Sequence, residues 1–142
     1  DAQAALLQTV TLHNIGNCYN NLGEYGKALD FYHRSFDMKK RMYDGVDYAS
    51  LAKSLHNIGH VHDNLGNYQK ALEYYKEAYE IGKRAYGDQQ RQHPDLAISL
   101  HSIGTIYDSL GDFQNALDNY LQSLEMNRAI YKDSIHPSVN IY

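Results

Sequence analysis

The sequence predicts an all-α solenoid of stacked antiparallel helix pairs. Three observations carry that prediction. First, the segment Leu12-His-Asn-Ile-Gly-Asn-Cys-Tyr-Asn-Asn-Leu-Gly23 returns, lightly edited, from Leu55 to Gly66 and again from Leu100 to Gly111. Self-similarity at such a fixed period is the mark of a repeat array, in which each unit buries its apolar face against its neighbours. Second, each copy holds two apolar stripes at helical spacing, separated by Leu-Gly. Third, an interior glycine returns at the same place in all three copies, as Gly16, Gly59 and Gly104.

The first helix of each unit is read from Leu12, Ile15, Gly16, Tyr19 and Leu22, which fall on one helical face. Leu55, Ile58, Gly59, His62 and Leu65 repeat the stripe, as do Leu100, Ile103, Gly104, Tyr107 and Leu110. A glycine inside a helix costs about 1 kcal/mol relative to alanine. Its return at Gly16, Gly59 and Gly104 predicts a neighbouring helix too close for any side chain. Gly23, Gly66 and Gly111 follow the stripes and are placed to take the left-handed conformation that caps a helix. Glu24, Asn67 and Asp112 come next and favour a new helix start, the latter two being the better caps.

The second helices carry Ala28, Tyr32 and Ser35, then Ala71, Tyr75 and Ala78, then Ala116, Tyr120 and Ser123. Small residues let two helices approach, and the tyrosines fill the space between. These helices are placed near 25–43, 68–86 and 113–131. Pro94 and Pro137 suit the first turn of a helix and mark new first helices. The whole chain therefore reads as a single repeat array over 1–142. Its units are expected near 4–43, 47–86 and 93–131, with 136–142 opening a fourth repeat or forming a cap. Asp1 is not an initiator residue, so the chain is expected to be part of a longer protein.

The apolar-x-x-apolar-Gly-x-x-Tyr stripe and the Ala-x-x-x-Tyr-x-x-small stripe resemble the tetratricopeptide repeat. The copies here are 43 and then 45 residues apart, longer than the usual period of about 34. The proline that closes the family's second helix is absent, Lys40, Lys83 and Arg128 standing there instead, so these helices can continue. The long-period, kinesin-light-chain-like type is the most similar, with Gly87 and His93-Pro94-Asp95-Leu96-Ala97 carrying that likeness. The resemblance implies a right-handed superhelix whose first helices line a concave, ligand-holding face.

Offsets from the core stripe then give the inner residues. They are His13, Asn14, Asn17, Asn20 and Asn21; His56, Asn57, His60, Asp63 and Asn64; and His101, Ser102, Thr105, Asp108 and Ser109, with Lys53 the one basic member. Side-chain amides both donate and accept hydrogen bonds, so they can hold the main chain of an extended peptide regardless of its side chains. The peptide-binding residues expected are thus His13, Asn14, Asn17, Asn21, Lys53, His56, Asn57, His60, Asn64, His101, Ser102 and Thr105. In the resembling family the position of Asn14 and Asn57 serves this purpose. Repeats that clamp a chaperone's terminal carboxylate use basic side chains where this chain has His13, His56, Ile98 and Ser102, which argues against that ligand. The kinesin-light-chain route to acidic cargo, through basic groove residues, is doubtful for the same reason. Four histidines on one surface predict binding that changes near pH 6.

The function expected is a protein- or peptide-binding scaffold. The alternative is a structural spacer or self-association segment of a larger signalling or motor-adaptor protein, stacking through its end repeats and leaving Leu117 and Leu124 partly uncovered. No enzyme is expected, because no phosphate loop, nucleophile elbow or catalytic carboxylate pair occurs. His56 and His60 have a metal-ligand spacing, but Asp63 is the only further acid nearby, so no metal or cofactor is expected. Cys18 has no local base or cation and is read as a buried spacer; His62 is read as a core histidine with a satisfied hydrogen bond. The net charge of −4 and the lack of a basic run exclude a nucleic-acid surface. No apolar run approaches the roughly 20 residues that span a bilayer. The lone cysteine precludes internal disulfides, and a cytoplasmic setting is expected.

Overall fold

A computed structural model describes residues 1–43, 47–88 and 93–134. Six helices occur among them, with no strand: α1 (Ala2–Asn21), α2 (Tyr25–Tyr43), α3 (Tyr48–Asn64), α4 (Tyr68–Tyr86), α5 (Pro94–Ser109) and α6 (Phe113–Ser134). Each helix packs chiefly on its neighbours in sequence, so the chain is a helical repeat solenoid. The second helices lie where the stripes placed them, except that α6 runs on to Ser134. The connectors at 44–46 and 89–92, and the segment 136–142 with Pro137, lie outside the described residues.

The turn inside each pair has one design. Gly23, Gly66 and Gly111 take φ of 77°, 77° and 78°. The Glu24 N–H donates to the Tyr19 carbonyl at 2.8 Å and the Gly23 N–H to that of Asn20 at 3.0 Å, which is a Schellman closure. Asn67-to-His62 and Asp112-to-Tyr107 bonds of 2.8 and 2.9 Å repeat it. Asp112 accepts from the Asn115 N–H at 3.3 Å. Asn67, by contrast, makes no side-chain capping bond. Pro94 stands at the start of α5 behind His93, whose ring nitrogen accepts from the Asp95 N–H.

The three recurrent glycines do what their register implied. A Cβ on Gly16, Gly59 or Gly104 would lie 2.6, 2.8 or 2.8 Å from the ring of Tyr32, Tyr75 or Tyr120 respectively. Tyr32 and Tyr75 are 2% exposed, their rings set against bare helix backbone. The small residues one turn further on work the same way. Ser35 Oγ donates to the Thr9 carbonyl and Ser123 Oγ to that of Ala97, both at 2.8 Å. Ala78 occupies the same position in the middle pair.

Cys18 is exposed, not a buried spacer. Its counterparts Val61 and Ile106 are fully buried, because α2 and α4 cover them. Among the described residues no helix covers that side of α1, and Leu7 and Val10 stand 66% and 45% exposed there. At the other end α6 exposes Leu117, Leu121 and Leu124 by about half.

Candidate functional site

The expected ligand-holding residues stand on α1, α3 and α5, and none of them is fully buried. The histidines at the head of each set are less free than the sequence suggested. His13, His56 and His101 rest on Tyr32, Tyr75 and Tyr120 of their own repeats, with ring centroids 5.2, 4.9 and 5.3 Å apart. Each repeat thus builds one unit in which glycine admits the tyrosine ring and histidine packs against it. His13 and His56 are half-buried and His101 is exposed.

Two cross-repeat rungs join α1 to α3. The Asn57 amide donates to His13 Nε2 at 3.2 Å, and the Asn64 amide donates to Asn20 Oδ1 at 3.3 Å. The first rung leaves the proton of neutral His13 on Nδ1, which is buried without a partner. Burial, then the nearby charges of Lys39 and Lys53, lower the pKa of His13 to about 4. His56 is lowered by burial and by His60, against the opposing pull of Asp95. A shared titration of these rings near pH 6 is therefore not what the structure gives: His13 is held neutral there, and His56 is shifted in the same direction. Asn17 accepts a short hydrogen bond from the Tyr32 hydroxyl. Thr105 Oγ1 is turned back onto the Ser102 carbonyl at 2.6 Å. Asn14, Asn21, Lys53, His60 and Asn64 remain exposed.

Lys53, His56 and Asn57 meet in one place. They line the α3 wall of a pocket of about 300 Å³. Ala78 and Gly82 of α4 form its floor, and Asp95, Ile98 and Ser99 of α5 its other wall. Tyr86 closes one end, donating to Asp95 Oδ2 at 2.7 Å. Burial and that carboxylate push the Tyr86 hydroxyl up to about 12. The pocket does not include His13, Asn14, Asn17 or Asn21 of α1, or His101, Ser102 and Thr105 of α5. Sequence reading missed Asp95, Tyr86 and Gly82 as pocket residues; the first two had entered only as family and boundary signals.

His62 is buried as expected, yet its Nδ1 has no hydrogen-bond partner. It is held by the Tyr74 ring, stacked at 5.4 Å and 5°, so ring contact takes the place of the expected bond. No group of three or more His, Cys, Asp or Glu that could hold a metal occurs among the described residues, and none of their helices is long and apolar enough to cross a membrane.

This architecture of recurrent glycine, tyrosine and small-residue contacts defines a helical-repeat scaffold. The chain belongs to the tetratricopeptide repeat family, which it matches over residues 7–84 and 66–129. Such repeats generally mediate protein–protein contact. No curated protein sequence matches the chain. Among solved structures it is similar to BtubC (BKLC) from P. vanneervenii, with a TM-score of 0.78 and 21% identity over 94% of this chain and 51% of that one. It is similar as well to the TPR domain of Arabidopsis FLU, at 0.73 and 17% identity over 88% and 98%. A Podospora anserina protein described as a kinesin light chain with nearly identical TPR-like repeats gives 0.70 and 20% over 90% and 58%. These likenesses establish the fold. The chain spans about half the length of BtubC.

Proposed function

We propose that the chain is a polypeptide-docking module, acting in the cytoplasm. An extended segment lies along α1, α3 and α5, gripped by Asn14, Asn57, His60 and Asn64 and seated by one side chain in the pocket between α3 and α5. One observation carries this reading: Lys53, His56 and Asn57 converge on a walled pocket with Asp95 and Ser99 opposite. The polar groups around an apolar floor of Ala78 and Gly82 are what fixes a side chain's position in a binding site. The role is that of a scaffold, with no catalytic step assigned to any residue.

The test is a peptide-display selection on the folded chain, followed by anisotropy with Asn14→Ala, His60→Ala and the pair. Both sites are exposed, so the melting curve should not move. Affinity for selected peptides should fall at least several-fold. Unchanged affinity in the pair would place the ligand elsewhere.

A second reading, self-association through the last helix, is favoured by the half-exposed Leu117, Leu121 and Leu124 on α6. An apolar face of that kind is commonly an interaction surface.

A further inference from the structure

The two junctions between repeats are built from equivalent positions, and one of them is filled by the protein itself. In the first junction α2 sends Lys39 towards α3. Its side chain is almost wholly buried, 9% exposed, and Nζ donates to Ser54 Oγ at 2.9 Å. In the second junction Gly82 holds Lys39's place on α4, and Ser99 holds Ser54's place on α5. Both line the 300 Å³ pocket. The pocket is therefore the space that a lysine occupies one repeat earlier.

Each of the two positions has one carboxylate and Lys53 near it, so the second accommodates a cation as the first does. Burial depresses the Lys39 pKa, and Lys53 depresses it further, while Asp47 pulls the other way. In the second junction Ile98 stands where the first has Lys53, and Asp95 stands where the first has Ser50. Lys53 itself remains on the α3 wall. Asp95 lies one helical turn before Ser99, so its carboxylate and the serine hydroxyl share one side of α5. Asp95 already accepts from Tyr86 at 2.7 Å, and an apolar guest would desolvate its carboxylate and the serine hydroxyl without adding a partner, which is unfavourable.

We propose that this pocket accepts a lysine side chain of the docked polypeptide, its alkyl stem against Ala52, Ala78 and Leu96 and its ammonium at Ser99 Oγ and Asp95. The assignment rests on the docking reading above and names the side chain that anchors it. Lys39 is the template for the stem and for the serine it meets, Ser99 standing in for Ser54; Lys39 reaches its serine from the second helix, whereas the guest enters from the side of the docked polypeptide.

The probe is n-butylammonium, the lysine side chain without its backbone, titrated into the intact labelled chain by amide NMR. Saturating shifts should centre on Gly82, Asp95 and Ser99. The neutral n-butanol should bind about ten-fold more weakly, which is the worth of one charge-assisted hydrogen bond. Gly82→Lys should abolish the shifts by filling the pocket from within. That variant should fold, since its Cβ meets the end of the Leu96 side chain at 3.1 Å and Ala52 Cβ at an ordinary 3.9 Å, and Lys39 occupies the equivalent site. Ser99→Ala should weaken the probe several-fold without Gly82→Lys's steric block. Equal binding of n-butanol, no saturable shift, or indifference to Gly82→Lys would each overturn the assignment.

A displayed random library separates this claim from the docking reading. Recovered peptides should share a lysine at one position and lose binding to Gly82→Lys. Peptides recovered without that lysine, or indifferent to Gly82→Lys, would overturn the lysine pocket alone. A library yielding no binder at all would strike the docking reading itself.

Discussion

Replacing Gly59 by alanine should destabilise the protein, against the ordinary preference of a helix. Alanine is favoured over glycine inside a helix by about 1 kcal/mol. At Gly59, however, the new methyl would sit 2.8 and 2.9 Å from Tyr75 Cδ1 and Cε1, and 3.3 Å from Tyr74 Cβ. Tyr75 cannot swing away freely, since it is 2% exposed with the His56 ring at 4.9 Å. Overpacking a tight contact of this kind costs about 1–3 kcal/mol. The ring must move by several tenths of an ångström along most of its edge, so the upper half of that range applies, and the net loss is about 1–2 kcal/mol. Gly26 in α2 supplies the control, being exposed with nothing within 4 Å of its Cβ position. Gly26→Ala should stabilise by about 0.4–1 kcal/mol. Urea unfolding followed by far-UV circular dichroism reads both variants against the parent. If Gly59→Ala proves as stable as the parent or more so, the glycine is not there to admit Tyr75, and the packing argument for all three repeats fails.

Other consequences are open to simple measurement. Ser35→Ala should lower stability by about 1 kcal/mol, since it removes the buried hydrogen bond that the hydroxyl donates to the Thr9 carbonyl; a urea midpoint unchanged within error would refute that role. Burial first, then Lys39 and Lys53, hold folded His13 at about 4 against an ordinary value of 6.5. The unfolded chain binds more protons in that window, so stability rises with pH there and is lost as pH falls from about 6.5 towards 4. Urea midpoints of His13→Gln should decline less steeply on acidification than those of the parent, and equal slopes would count against the assignment. Self-association through α6 should appear in sedimentation at rising concentration and weaken in Leu117→Glu with Leu121→Glu, whereas a parent that stays monomeric at hundreds of micromolar would end that reading.

The array was legible because repetition amplifies weak signals. One helical glycine says little, but Gly16, Gly59 and Gly104 in register announced the rings of Tyr32, Tyr75 and Tyr120. The caps at Gly23, Gly66 and Gly111 were legible for the same reason. What repetition hides is the difference between copies. Cys18 shares a register position with Val61 and Ile106, yet burial there depends on a preceding helix pair, which α1 lacks among the described residues. The histidines looked like free polar groups because their partner tyrosines lie 19 residues further on, across a turn. The pocket escaped notice because it arises from an absence: Gly82 where the previous repeat has Lys39. That signal was present in the sequence. It needed the second helices compared position by position, and a reason to ask what the missing side chain had been touching.

The central claim is that a polypeptide lies along α1, α3 and α5 and is anchored between α3 and α5. Amide NMR of the labelled chain with a display-selected peptide tests it most directly. The account predicts that the largest shifts fall on Asn14, Lys53, His56, Asn57, Asp95 and Ser99, with the outer sides of α2 and α6 unmoved. Shifts concentrated on Leu117, Leu121 and Leu124 of α6, with the α3–α5 pocket silent, would contradict it.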